Sequence, residues 1–135
     1  MSDTNTPEGR LTDVRVLVVD DDRDVLDAFR MALEAEGADV ITASDGNAGV
    51  RRATDERPDL VVLDMMLPGR SGFLALEKIK GRDDSPLVVM VTANEGKRHQ
   101  DYAENMGVDG YLHKPVPIGQ LIDTIDRLVS EADET

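Results

Sequence analysis

The feature that most constrains this chain is an alternation. Short, almost wholly apolar runs take turns with longer stretches whose apolar residues recur at helical spacing. The runs are residues 14–20 (VRVLVVD), 39–43 (DVITA), 60–64 (LVVLD), 87–92 (LVVMVT) and 110–113 (GYLH). A strand that is apolar on both faces must be covered on both faces, the condition of a parallel sheet sandwiched between helices. The stretches between supply those helices. Residues 22–36 put Val25, Leu26, Phe29, Ala32 and Leu33 on one face, and Gly37 stands where a left-handed residue ends a helix. Residues 47–56 form a weaker helix stopped by Pro58. Phe73, Leu74, Leu76 and Ile79 mark a third, ending at Gly81. Residues 95–106 are polar apart from Tyr102, Ala103 and Met106. After Pro117, a stripe of Ile118, Leu121, Ile122, Ile125, Leu128 and Val129 marks the last. Five strands alternating with five helices predict an α/β fold with a doubly wound parallel sheet.

A chain of 135 residues has room for one ordinary domain, placed here at residues 13–131. Residues 1–12, polar and carrying Pro7 and Gly9, read as a disordered N-terminal tail, and residues 132–135 as a C-terminal one. The start lacks the basic and apolar segments of a secretory signal, and no apolar run is long enough to cross a bilayer. The expectation is a cytoplasmic protein with no membrane partner. A formal charge of -13 argues against binding nucleic-acid phosphates. The absence of cysteine excludes disulfides, zinc–thiolate sites and thiol nucleophiles. Two Tyr, two Phe and no Trp offer little for stacking bases or flavin. Only Lys78, Lys80, Lys97 and Lys114 are lysine, and an acid-rich, lysine-poor surface fits adaptation to high salt.

Ligands of a doubly wound sheet bind beyond the carboxyl ends of its strands. Here those ends carry Asp20, Asp21 and Asp22, then Asp64, Thr92 and Lys114. Singly, each has a plain structural role. Asp22 is placed to cap the first helix, Asp20 or Asp21 would serve as a helix-start residue, Thr92 is a β-former, and a lysine before proline is ordinarily solvated. The constellation says more. Carboxylates converging on one rim repel one another and need a cation, and an all-oxygen donor set points to magnesium or calcium. Magnesium fits better, because it is commonly held by one or two carboxylates together with phosphate oxygens. With the Thr92 hydroxyl and the Lys114 ammonium, the rim has the equipment for phosphoryl transfer onto an aspartate.

Four motifs carry a family resemblance: LVVDDD at residues 17–22, LDMMLPG at 63–69 with Gly72, VTA at 91–93, and YLHKP at 111–115. In this order and spacing the chain resembles the receiver domain of response regulators, the chemotaxis-type phosphoacceptors of two-component signalling. The resemblance implies a flavodoxin-like sheet in the order 2-1-3-4-5 and a cis Lys114–Pro115 bond. It implies that Asp64 accepts a phosphoryl group from the phosphohistidine of a sensor histidine kinase. Magnesium would be held by Asp21 directly, by Asp20 through water, by Asp64 and by the backbone carbonyl of Met66. Thr92 and Lys114 would contact the phosphoryl group. Tyr111 would follow Thr92 inward, switching the face of the fourth helix, fifth strand and fifth helix toward a downstream protein partner.

The competing reading is a magnesium-dependent phosphohydrolase with a transient aspartyl-phosphate. Such enzymes commonly carry a second aspartate two residues after the nucleophile, where this chain has Met66. Met66 and Asn94 flank the path of a hydrolytic water, and an apolar Met66 cannot orient one, so the phosphoryl state should be long-lived. His99 and His113 read as surface and strand-edge residues. The polar fourth helix reads as a solvated face or a partner surface. Monomer and phosphorylation-dependent dimer are both open, as are a stand-alone regulator and a part of a longer protein.

Overall fold

Every apolar run forms a strand in the structure, a computed structural model that describes residues 9–69, 71–93 and 96–133. The elements are β1 (Arg15–Val19), α1 (Arg23–Ala35), β2 (Asp39–Ala43), α2 (Gly46–Glu56), β3 (Leu60–Asp64), α3 (Gly72–Lys80), β4 (Leu87–Thr92), α4 (Lys97–Asn105), β5 (Gly110–His113) and α5 (Ile118–Asp133). The strands are parallel and ordered β2-β1-β3-β4-β5, as the resemblance implied. Residues 60–64 are buried without exception, which is why β3 shows no alternation in sequence.

Each face of the sheet carries its own core. On one face Val16, Val18, Leu60, Val62, Val89 and Val91 pack against Phe29 and Leu33 of α1 and Leu121, Ile125 and Leu128 of α5. On the other Leu17, Val19, Val61, Leu63, Val88 and Met90 pack against Ala53 of α2, Leu76 and Ile79 of α3, and Ala103 of α4. Burying one such side chain is worth about 1.5–3 kcal/mol, so these two layers fix the register. Val19 pairs with both Ala43 and Leu63, Asp64 with Val91, and Thr92 with His113. All strand ends bearing polar groups therefore reach one rim.

Local signals set the boundaries. Asp22 is extended (φ -88°, ψ 112°), and its Oδ1 accepts the N–H of Asp24 at 2.9 Å, capping α1 as its position suggested. Gly37 is left-handed at φ 92°, and its N–H donates to the Glu34 carbonyl at 2.9 Å. Of the apolar residues expected on the fourth helix, Ala103 is fully buried and Met106 packs against the same core, but Tyr102 is 53% exposed.

Residues 9–12 are not a tail. Leu11 is completely buried in the α1–α5 core, and its N–H donates to the Glu36 carbonyl at 2.8 Å. Arg10 bridges Asp123 at 2.8 Å and Asp126 at 2.7 Å on α5. A Cβ on Gly9 would lie 1.8 Å from the Glu36 carbonyl oxygen, so the backbone there passes too close for any side chain. Polarity averaged over twelve residues hid one apolar side chain that plugs the base of the core. At the other end α5 runs to Asp133, two residues past the expected boundary at 131. Residues 1–8, 70, 94, 95, 134 and 135 lie outside the described residues, and with them most of the expected N-terminal tail and Asn94.

Leu11→Ala should destabilise the fold by about 2–5 kcal/mol in urea unfolding, the range for emptying a buried leucine site. A change below about 0.5 kcal/mol, as expected of an exposed position, would return this segment to the status of a tail.

Candidate functional site

The rim is built from the residue that ends or follows each strand. Asp20 follows β1 and is 2% exposed; its N–H donates to the Ala43 carbonyl at 3.1 Å, which fixes its path. Both of its carboxylate oxygens are engaged. Oδ1 accepts the N–H of Asp22 at 2.9 Å, and Oδ2 accepts from Lys114 Nζ at 2.7 Å. Asp21 is exposed at the same rim, and Asp22 is turned away into its cap.

Asp64 ends β3 and is 5% exposed. Its Oδ1 accepts the N–H of Met66 at 3.2 Å, and its Oδ2 lies 3.5 Å from Lys114 Nζ. The chain then turns back sharply. Met65 N–H donates to the Val91 carbonyl at 3.2 Å, and Gly72 N–H donates to the Met65 carbonyl at 2.9 Å. A Cβ on Gly72 would stand 2.5 Å from the Asp64 carbonyl oxygen, and that backbone cannot give way. Gly72 is thus the residue that lets α3 start beside the site. The Met66 side chain is largely exposed.

Lys114 comes from the opposite side. Its N–H donates to the Thr92 carbonyl at 2.8 Å, and the Lys114–Pro115 bond is cis. Thr92 is fully buried at the end of β4, with its hydroxyl 3.7 Å from the Met65 sulfur. Tyr111 is half-buried on β5, edge-on to His113 at 5.4 Å between ring centres. Its hydroxyl is buried and has no hydrogen-bond partner among the described residues. Burial raises the Tyr111 pKa.

Sequence reasoning missed two features. Asp20 is a double acceptor, which the Asp-x-Asp spacing could have suggested as an Asx turn, and Met65 is the residue facing the Thr92 hydroxyl. His113 is exposed as expected. His99 is not: it stacks on Phe73 at 6.0 Å with its Nδ1 buried and unpartnered among the described residues.

Carboxylate oxygens of Asp20, Asp21 and Asp64 lie within 4.8 Å of one another. At an effective dielectric of about 20, unit charges at that spacing repel by on the order of 3 kcal/mol. Burial first, and then the neighbouring Asp20 charge, raise the Asp64 pKa, against the pull of Lys114. Burial alone would lower the Lys114 pKa, but its hydrogen bond to Asp20 and the Asp64 charge raise it. One ammonium therefore serves two carboxylates and leaves excess negative charge. Oxygens sharing one magnesium ion at about 2.1 Å are about 3–4 Å apart. The three aspartates fit such an ion with side-chain shifts of about an ångström, or with a water in place of one of them.

This arrangement can be set beside known proteins. Residues 16–126 match the family model of the response regulator receiver domain. The chain belongs to the response regulator receiver family. A CheY-like receiver domain from Methanospirillum hungatei is 30% identical with a TM-score of 0.86, covering 90% of this chain and 97% of that one. A receiver domain from Clostridium thermocellum is also 30% identical, with a TM-score of 0.83 and coverage of 89% and 97%. The receiver domain of a sensor histidine kinase from Pseudomonas aeruginosa shares the fold at 24% identity and a TM-score of 0.80, covering 87% of this chain and 98% of that one; its active-site cleft coordinates a magnesium ion. Membership of this family disfavours the phosphohydrolase reading. Among the described residues, no helix of the receiver is long and apolar enough to cross a membrane.

The electrostatics of the receiver give a signed prediction. A carboxyl whose pKa is raised by folding adds stability below its unfolded pKa and loses that contribution as pH rises through the folded value. Folding disfavours the charged form of Asp64, so Asp64→Asn should raise the melting temperature in a chelator. Millimolar magnesium should raise that of the parent protein by several degrees and that of Asp64→Asn far less. Equal magnesium responses would show that the ion does not bind at these carboxylates.

Proposed function

We propose that this receiver takes a phosphoryl group from a histidine kinase onto Asp64, with magnesium at the acidic rim. The observation that carries this reading is the placement of Asp64: a buried carboxylate beside two others, with a single lysine bridging it to Asp20. The ion would be held by Asp21, Asp64 and the Met66 carbonyl, and by Asp20 through water, since both Asp20 oxygens already accept hydrogen bonds. Its chemistry is charge neutralisation on the transferring group.

An Asp64 oxygen forms a bond to phosphorus as the phosphorus–nitrogen bond of phosphohistidine breaks. The imidazole leaves with the electron pair and takes up a proton. Lys114, 3.5 Å from Asp64 in the resting state, follows the new negative charge from Asp20 toward the phosphoryl oxygens. The Thr92 hydroxyl, 3.7 Å from the Met65 sulfur at rest, turns to a phosphoryl oxygen, a strong acceptor. Its movement frees space that Tyr111 fills. The Tyr111 hydroxyl, buried and without a partner among the described residues, loses no hydrogen bond to them in moving, and an unsatisfied hydroxyl of this kind costs about 1–3 kcal/mol where it stands. The outcome is a shifted α4–β5–α5 face for a downstream protein partner. Met66, apolar and exposed, does not hold a water against the phosphoryl group, which favours a long-lived signal.

Incubation with acetyl phosphate and magnesium should add one phosphoryl group by intact mass, absent in Asp64→Asn and in chelator. In the same assay Met66→Asn should shorten the lifetime of the adduct severalfold. An adduct that survives Asp64→Asn would move the acceptor elsewhere, and steady phosphate release without an adduct would restore the hydrolase.

A further inference from the structure

The positive charge of this acidic chain is unevenly spread. A groove of about 810 Å³ on the β2 side of the rim is lined by Arg23 and Arg30 of α1, by Arg51 and Arg52 of α2, and by Thr42 and Ser44 between them in sequence. Those four are more than a quarter of the 15 basic residues in a chain of net charge -13. Only two acidic residues, Asp21 and Asp27, share the groove. Arg30 pairs within its own helix with Asp27 at 3.2 Å and Arg52 with Glu56 at 3.8 Å, while Arg23 and Arg51 have no carboxylate partner among the described residues.

The groove follows an open strand edge. β2 is the last strand on that side and pairs only with β1. The Ala43 carbonyl points inward to Asp20 N–H, and the Asp39 N–H points inward to Val14. By strand alternation the N–H and C=O of Val40 and Thr42 point outward. α1 packs on one face of the sheet and α2 on the other, so arginines flank this edge from both sides. An added strand sends successive side chains to opposite faces. Consecutive acidic residues would meet α1 arginines on one side and α2 arginines on the other.

We propose that the β2 edge and its four arginines dock an extended acidic segment of a protein partner by strand addition. The groove begins at Asp21, so the partner is the protein that presents the phosphoryl group to Asp64, an assignment that rests on the phosphoacceptor reading above. A small anion would use the arginines but not the strand edge; arginines that merely guard a bare edge would use neither.

The probe is an end-blocked peptide of about eight residues, with consecutive glutamates flanked by valine and threonine, titrated at low salt and followed by backbone amide shifts. The expected result is saturable shifts at residues 40–44, loss with added salt, and no binding of the same peptide with lysine for glutamate. Arg51→Glu/Arg52→Glu, and separately Arg23→Glu on the other face, should each weaken binding about tenfold while leaving acetyl phosphate labelling of Asp64 near the parent level. Unchanged affinity in these variants, shifts away from β2, or pyrophosphate binding as tightly as the peptide would each overturn the docking role. Failure of the parent protein to label at Asp64 would instead remove the phosphoacceptor reading while the peptide data stood.

Discussion

Three carboxylates on one rim repel each other, and the backbone holds them there regardless. Asp20 is fixed by its N–H to the Ala43 carbonyl, and Asp64 by its place in a strand paired on both sides. The energy that enforces this comes from elsewhere, from two apolar layers of fully buried Val, Leu and Ile. Before Lys114 is counted, each pair of charges repels by on the order of 3 kcal/mol; the ammonium offsets part of this, and a handful of those side chains outweigh the rest. The site is thus a cluster of like charges held together by the core, and on the proposed reading a cation would relieve that repulsion.

Lys114 ties the rim together. It reaches Asp20 at 2.7 Å and Asp64 at 3.5 Å, and its own backbone is hydrogen-bonded to Thr92. One residue thereby links the ends of β1 and β3 through its side chain and the end of β4 through its backbone. On the proposed reading, a new charge on Asp64 would compete with Asp20 for this ammonium and so bear on the β4 end. Tyr111, with its hydroxyl buried and unpartnered among the described residues, stands on the neighbouring strand where such a change would be felt.

Much of this was legible in the residues. Continuous apolar runs mark buried parallel strands, and four of the five strand ranges coincide with the observed ones. Asp22 and Gly37 punctuate α1 because capping chemistry is local and depends little on the rest of the fold. Asp20, Asp21, Asp64 and Lys114 were legible as a set, since topology alone brings strand ends to one rim. What escaped depended on tertiary placement. Leu11 is one apolar residue in a polar stretch, and only the gap between α1 and α5 gives it a reason to be buried. His99 looks like any polar residue of α4 until Phe73 of α3 stacks on it. The arginines of α1 and α2 are separated by more than twenty positions, and nothing short of the fold shows that they share a groove.

On the proposed function these aspartates share one divalent ion beside the acceptor oxygen. Crystals grown with magnesium and beryllofluoride test it most directly. One ion should contact the carboxylates of Asp21 and Asp64, with beryllium bonded to the other Asp64 oxygen and Lys114 turned toward its fluorides. Beryllium on a different side chain, or magnesium bound away from Asp21 and Asp64, would contradict it.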